Sequence, residues 1–246
     1  MALLKTVITF IVVIIPMLIL APVGVFLYLV GFLGLRTPMT YMIYKIAQAW
    51  SKAMVMSTGC SLAVTGQEHI PKKGGLCFVS NHSSVFDILL IVSLVGRPVG
   101  FIAKKELGLV PFLNIWIFLI GGLFIDRKNI RKALKTINTG IKQIKSGGAM
   151  VVFPEGTRSR GQGLLPFRSG ALKLATQSGA PIVSIAITGS YDVFERTYRV
   201  QSVPVRVTFG PPINTADLSP EERRKNLPDQ VRKAISAGLE RGRTSP

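Results

Sequence analysis

The sequence predicts an α/β protein: a mixed, mainly parallel sheet flanked by helices, preceded by an N-terminal hydrophobic two-helix membrane module. Three observations predict it. From about Gly66, apolar runs of strand length recur at 76–79, 99–102, 123–125, 149–153, 182–187 and 203–209. Between them fall helical periods. The clearest covers 129–146, with Ile130, Leu134, Ile137, Ile141 and Ile144 on one side and Gly147-Gly148 as a C-terminal stop. Strands alternating with helices imply a largely parallel sheet covered on its faces. Third, residues 6–35 carry no charge, and the first acidic residue of the chain is Glu68.

The N-terminal region divides the chain into a membrane-associated helical module over 1–60 and an α/β domain over 61–246. As one straight helix, residues 6–35 would be about 45 Å long, against a hydrocarbon core of about 30 Å. Pro16 and Pro22 are expected to interrupt it. A signal peptide is the alternative, but the apolar run is too long and no A-x-A site ends it. Thr37-Pro38 then reads as an N-cap followed by a first-turn proline. Met42, Ile43, Ile46, Ala49, Trp50, Ala53 and Met54 form a helical stripe, and Tyr41, Tyr44 and Trp50 suit a membrane interface. The same stripe could instead pack on the globular domain. At the other end, a charged segment after Ser219-Pro220 leads to an amphipathic helix carrying Val231, Ile235 and Leu239, and the tail from Gly242 is expected to be loose.

Charge and apolarity occur together. Lys and Arg number 30 against 12 Asp and Glu, a net charge of +18, while 48% of residues are hydrophobic. A nucleic-acid binder is rarely so apolar, so the partner expected is an anionic lipid surface and not nucleic acid. Cys60 and Cys77 sit in apolar surroundings and read as buried thiols. Two histidines and two cysteines, all widely spaced, make no zinc set, and no metal is expected. No G-x-S-x-G, Walker A or G-x-G-x-x-G pattern occurs.

The chemistry gathers around Asn81-His82-Ser83-Ser84-Val85-Phe86-Asp87. On a regular helix residues i and i+5 point apart, so His82 and Asp87 meet only across a bend. Ser84-x-x-Asp87 is a capping-box pattern that would start a helix at Ser84. Asp87 then either only caps that helix, or also holds one His82 ring nitrogen and leaves the other free as a general base. Two further motifs end strands. Arg127 follows Phe124-Ile125-Asp126, where ligands of open α/β sheets collect. Glu155, Gly156, Thr157 and Arg158 share a tight turn after Phe153-Pro154, and the planar fork of Arg158 suits a phosphate. Pro181 either lines a pocket or merely starts a strand.

These blocks, His82-x4-Asp87, Phe124-Ile125-Asp126-Arg127, Phe153-Pro154-Glu155-Gly156-Thr157-Arg158-Ser159 and Ala180-Pro181-Ile182-Val183, resemble the four ordered motifs of the glycerolipid acyltransferases over roughly residues 60–215. The pattern is most similar to that of the bacterial 1-acyl-sn-glycerol-3-phosphate acyltransferases. Ser184 departs from it, standing where the family often has proline. The resemblance implies transfer of a fatty acyl group from acyl-CoA or acyl carrier protein to the 2-hydroxyl of lysophosphatidic acid, with no cofactor. It implies that His82 is the base and Asp87 its orienting partner. It assigns the acceptor to Arg127, Glu155, Gly156, Thr157 and Arg158, with Lys104, Lys105 and Pro181 as further candidates. A related enzyme using glycerol 3-phosphate or another lysophospholipid, and a non-catalytic binder of lipid phosphates, are the alternatives. The expected location is the cytoplasmic face of the cell membrane, with both N-terminal helices sunk into one leaflet.

Overall fold

The computed structural model describes residues 2–168 and 170–244. Seven strands form one sheet: β1 (Ser61–Thr65), β2 (Leu76–Ser80), β3 (Gly100–Lys104), β4 (Leu123–Ile125), β5 (Ala149–Val152), β6 (Ile182–Thr188) and β7 (Pro204–Phe209). The spatial order is β1-β7-β6-β2-β5-β3-β4. Strands β6, β2, β5, β3 and β4 run parallel, β7 is antiparallel to β6, and β1 pairs parallel with β7. Five parallel strands therefore end on one edge, at Thr188, Ser80, Val152, Lys104 and Ile125. This is the mixed, mainly parallel sheet read from the sequence, with β1 added.

The helices are α1 (Ala2–Val30), α2 (Arg36–Ser57), α3 (Phe86–Leu94), α4 (Leu113–Leu119), α5 (Ile130–Lys145), α6 (Lys173–Ser178), α7 (Ser190–Val193) and α8 (Pro220–Thr244). Successive side chains of β2 point to opposite faces. Leu76 and Phe78 join a core with α2, α3 and α4, while Cys77 and Val79 join a second core with α5, α6 and α8. Burial pushes the Cys77 thiol up to about 12, which leaves it an inert apolar filler. Helix α5 begins with Asn129 capping the Lys132 N–H at 3.0 Å, as its sequence period predicts. Helix α8 continues through Gly242 to Thr244, so the start of the tail is helical, and Ser245 and Pro246 lie outside the described residues.

The N-terminal region differs from expectation in three ways. Helix α1 is continuous through Pro16 and Pro22. A proline frees the carbonyl four residues before it, and a neighbouring helix can use that acceptor. The Trp50 Nε1–H of α2 donates to Val12 O at 3.0 Å, the carbonyl that Pro16 leaves free, and the Trp116 Nε1–H of α4 donates to Met17 O at 3.2 Å. Next, α2 starts at Arg36 after Leu35, so Thr37 is inside the helix and does not cap it. Last, α2 packs on the domain through a face rotated from the predicted stripe, of which Met42, Ala49 and Ala53 are exposed. Ile43, Tyr44, Ala47, Met54 and Val55 are buried, and the Tyr44 hydroxyl donates to Val92 O and Val95 O at the end of α3.

Helix α1 lies along the domain antiparallel to α2. Thr6 Oγ1 accepts the Val200 N–H at 2.9 Å near its start, and Tyr28 stacks edge-on against Phe118 near its end. Its other face carries Leu4, Ile8, Ile11, Ile15, Ile19, Phe26 and Leu29, all exposed. That spacing is one continuous helical stripe. By length and composition this segment could cross a membrane.

Candidate active site

The five parallel strands deliver their following loops to one edge of the sheet. Asn81 turns the first of these loops. Its Nδ2–H donates to Ile187 O and its Oδ1 accepts the Ile187 N–H, both at 2.9 Å. The side-chain amide thus pairs with β6 as one more backbone unit would, and the main chain is released to turn.

His82 and Asp87 meet across that turn, with His82 Nδ1 and Asp87 Oδ2 2.9 Å apart. Asp87 is fully buried, and His82 retains 15% side-chain exposure. The same Oδ2 accepts the Ser83 N–H at 2.8 Å and the Ser84 N–H at 2.9 Å. Ser84 Oγ accepts the Phe86 N–H at 3.0 Å. The capping interaction and the histidine contact therefore coexist on one carboxylate, although regular helix begins at Phe86 and not at Ser84. With Nδ1 engaged by an acceptor, the proton sits on Nδ1 and Nε2 is left as the basic nitrogen. Phe153 stacks on the His82 ring, centroids 4.0 Å apart at 17°. Together these contacts fix the ring plane.

Glu155 has a different place from the one expected. It is 3% exposed. Its Oε1 accepts the His82 N–H at 2.7 Å and its Oε2 accepts the Leu165 N–H at 2.9 Å. Both oxygens hold backbone, so Glu155 is a clamp between loops and offers nothing to a substrate phosphate. Desolvation raises its pKa, and the two N–H donors oppose that shift. From the same turn, the Ser159 N–H donates to His82 O at 2.7 Å. The backbone of His82 is thus held at both its N–H and its carbonyl.

Gly156 turns with φ +67, and a Cβ there would come 2.4 Å from Arg168 Nε. A left-handed turn crowded by a side chain explains a glycine at this position. Its carbonyl accepts from Arg127 Nη1. On the other side, Arg168 Nε donates to Glu155 O at 3.3 Å. Two guanidiniums therefore converge on the consecutive carbonyls of Glu155 and Gly156. Burial first, and then the nearby Arg168 charge, lower the Arg127 pKa. Arg168 carries no motif signal because it lies nine residues beyond Ser159. Lys104 ends β3 and is exposed, and Lys105 beside it pairs with Asp126 at 2.8 Å. Thr157 is exposed on the turn.

Two further expectations are corrected. Arg158 is not poised free for a phosphate, because its Nη1 pairs with Glu195 Oε2 at 3.0 Å. Pro181 does not reach the site at all. It precedes β6, which runs parallel to β2 with Ile182 beside Cys77, so Pro181 sits at the amino edge of the sheet. At about 3.3 Å per residue the two edges are on the order of 15 Å apart. Two site residues carried no local signal. Ser190 Oγ donates to Asp87 Oδ1, and Glu195 Oε1 accepts the Val85 N–H at 2.7 Å and the Ser84 hydroxyl at 3.0 Å.

A carboxylate-fixed imidazole beside paired guanidiniums, at the carboxyl edge of a parallel sheet, is an arrangement for deprotonating a hydroxyl next to an anionic group. The comparisons agree in class. Residues 61–188 match the family model "Acyltransferase", and the chain belongs to that family. Among its relatives, a 1-acyl-sn-glycerol-3-phosphate acyltransferase of Borreliella burgdorferi is 30% identical over 80% of this chain and 79% of its own length. One of the same name from Limnanthes douglasii is 36% identical over 65% of this chain, which spans 57% of that longer relative. The crystal structure of the 1-acyl-sn-glycerophosphate (LPA) acyltransferase PlsC from Thermotoga maritima superposes with a TM-score of 0.84 at 27% identity, covering 100% of this chain and 97% of that one.

Proposed function

We propose that this chain transfers a fatty acyl group from an acyl thioester to the 2-hydroxyl of 1-acyl-sn-glycerol 3-phosphate, releasing phosphatidic acid and a free thiol. The observation that carries this reading is the 2.9 Å contact that fixes His82 Nδ1 on buried Asp87 and leaves Nε2 basic. In this reading Nε2 takes the proton of the acceptor hydroxyl as its oxygen attacks the thioester carbonyl. The imidazolium so formed is stabilised by the Asp87 carboxylate and returns its proton to the departing thiolate. The thioester is already activated, so no protein nucleophile is required. Positioned proton transfer of this kind contributes about 10²–10⁴ in rate.

The acceptor phosphate is assigned to Arg127 and Arg168, with Lys104 at the rim. Guanidiniums suit phosphate because they offer paired donors in one plane. Here one hydrogen bond of each goes to a backbone carbonyl, and the charge of Glu106 only partly offsets that of Arg168 on Arg127, so an anion between the two guanidiniums would relieve their mutual repulsion. Acyl-CoA or acyl carrier protein serves as donor.

The enzyme is read as working at a membrane, from its cytoplasmic face, with α1 lying in one leaflet. Contacts of α1 with Val200 near one end and Phe118 near the other keep it against the domain along its length, while its stripe from Leu4 to Leu29 faces outward. Exposed Val85, next to the catalytic turn, and exposed Tyr198 extend that apolar surface. A lysolipid could then meet His82 without leaving the interface. The test is a donor-by-acceptor activity matrix with purified protein in vesicles. Turnover restricted to lysophosphatidic acid supports the reading, and turnover with glycerol 3-phosphate alone overturns it.

A further inference from the structure

Asp87 is the most tightly specified group in the site. As a carboxylate it offers about four acceptor positions. His82, Ser83 and Ser84 supply three donors to Oδ2. The remaining oxygen, Oδ1, takes its donor from Ser190 Oγ, which is completely buried and also lies 2.8 Å from Ser83 Oγ. Five residues further on, Glu195 Oε1 accepts the Val85 N–H and the Ser84 hydroxyl, the two groups that open the helix carrying Asp87. Its Oε2 is pinned by Arg158. Both residues come from the segment after β6, beyond the region matched to the family model. That segment is itself anchored. Phe194 packs edge-on against Phe10 of α1 with centroids 5.6 Å apart, and the Val200 N–H bonds to Thr6.

We propose that Ser190 and Glu195 are positioning residues for the His82–Asp87 pair. Ser190 fixes the rotation of the Asp87 carboxylate, so that Oδ2 is the oxygen presented to His82. Glu195 fixes the 84–85 backbone from which that carboxylate projects. Neither touches the reacting atoms. The inference rests on the reading of His82 as the base, and deepens it by naming what holds the base in place.

The sign of the effect follows from charge. Without the Ser190 donor, less of the Asp87 charge is neutralised at Oδ1, and its bond to Nδ1–H strengthens. The imidazolium is then favoured and the neutral base is present only at higher pH. The other ionisable groups facing this pair are Glu155, whose oxygens are held by backbone, and Glu195, paired with Arg158. Neither changes partner in Ser190→Ala.

The experiment measures kcat, both KM values and the pH profile of kcat/KM for full-length Ser190→Ala, Glu195→Ala, Glu195→Gln and His82→Ala in vesicles. Ser190→Ala is expected to lose about tenfold in kcat, the scale of one hydrogen bond to a charged group. Its KM values should stay unchanged and its acid limb should move to higher pH. Glu195→Ala should lose a similar factor, whereas Glu195→Gln keeps an acceptor oxygen and should recover to within about threefold of wild type. A native rate and pH profile for Ser190→Ala, with His82→Ala inactive, would overturn the positioning role and leave the base intact. A raised KM at unchanged kcat would overturn it too, since that is the mark of substrate binding. An active His82→Ala would instead fault the reading of the base. Should Glu195→Ala fail to fold, Ser190→Ala and Glu195→Gln decide the matter by the same criteria.

Discussion

Glu155 Oε1 holds the backbone N–H of His82 at 2.7 Å, across 73 residues of sequence. This bond ties the turn that carries the base to the turn that carries Gly156. It predicts that Glu155→Gln impairs catalysis without changing any group that touches substrate. An amide accepts at one end only, so either the His82 or the Leu165 N–H is left buried without a partner. A loss of about 1–3 kcal/mol in stability is expected, read by thermal melting, with a fall in kcat at unchanged acceptor KM.

The same variant has a pH signature. The folded-state pKa of Glu155 is raised, chiefly by desolvation, above its ordinary value of 4.5. In the window between those two values the folded state holds more protons than the unfolded state. Stability contributed by this group is therefore lost as pH rises through that window. The melting temperature of wild type relative to Glu155→Gln should fall as pH rises from 4.5. A gap that widens over that range would contradict the assigned shift.

His82→Ala should abolish transfer with the fold intact, because the ring is held from outside and supports no core. Asp87→Asn keeps the shape but loses the charge that stabilises imidazolium, and should cost about 10²–10⁴ in kcat. Circular dichroism and steady-state turnover check both.

Arg127 and Arg158 should separate kinetically. Arg127→Ala is expected to raise the acceptor KM by about tenfold or more, the scale of a lost charged hydrogen bond, with little change in the donor KM. Arg158→Ala frees Glu195, so its deficit should fall mainly on kcat. Equal effects of Arg127→Ala on both KM values would point to a structural role for that side chain.

Ile15 and Ile19 lie on the exposed stripe of α1, away from its contacts with the domain. The double variant Ile15→Glu, Ile19→Glu should release the protein from vesicles in flotation while leaving its melting temperature near native. Topology is read with a cysteine at Ala2 in a Cys60→Ser, Cys77→Ser background. Protection of that cysteine from an impermeant thiol reagent outside intact cells is the expected outcome, and labelling would place the N-terminus across the bilayer.

What the sequence made legible was local. The run at 123–125 is a strand with those bounds, and the 129–146 period is a helix because its apolar face, its Asn129 cap and its glycine stop are all in one stretch. The His82–Asp87 contact was readable because the spacing forces a bend. The misses have a shared cause, which is a partner distant in sequence. Pro16 reads as a break only while Trp50 is unseen. Strand β1 is an edge strand with alternating burial, and its partner β7 is about 140 residues away. Tyr44 and Trp50 look interfacial until α3 and α1 supply their hydrogen-bond acceptors. Ser190 and Glu195 lie in no motif, and only the fold brings them to Asp87. Pro181 could have been placed from the sequence alone. A residue that begins a parallel strand lies at the opposite edge from residues that follow one.

The bond between Thr6 and Val200 joins positions 194 residues apart. During synthesis the chain emerges N-terminus first, so α1 is complete long before its anchor on the domain exists. For most of translation only α2 is at hand to pair with it, through bonds such as Trp50 to Val12. The face that later meets Val200 and Phe194 stays open, and a bilayer can cover that face together with the exposed stripe. We predict that α1 reaches the membrane while the ribosome is still working, and that the catalytic domain later folds down onto a helix already seated there. Ribosome-bound chains stalled near residue 150 should then float with vesicles. Their recovery only in the soluble fraction would put membrane arrival after folding.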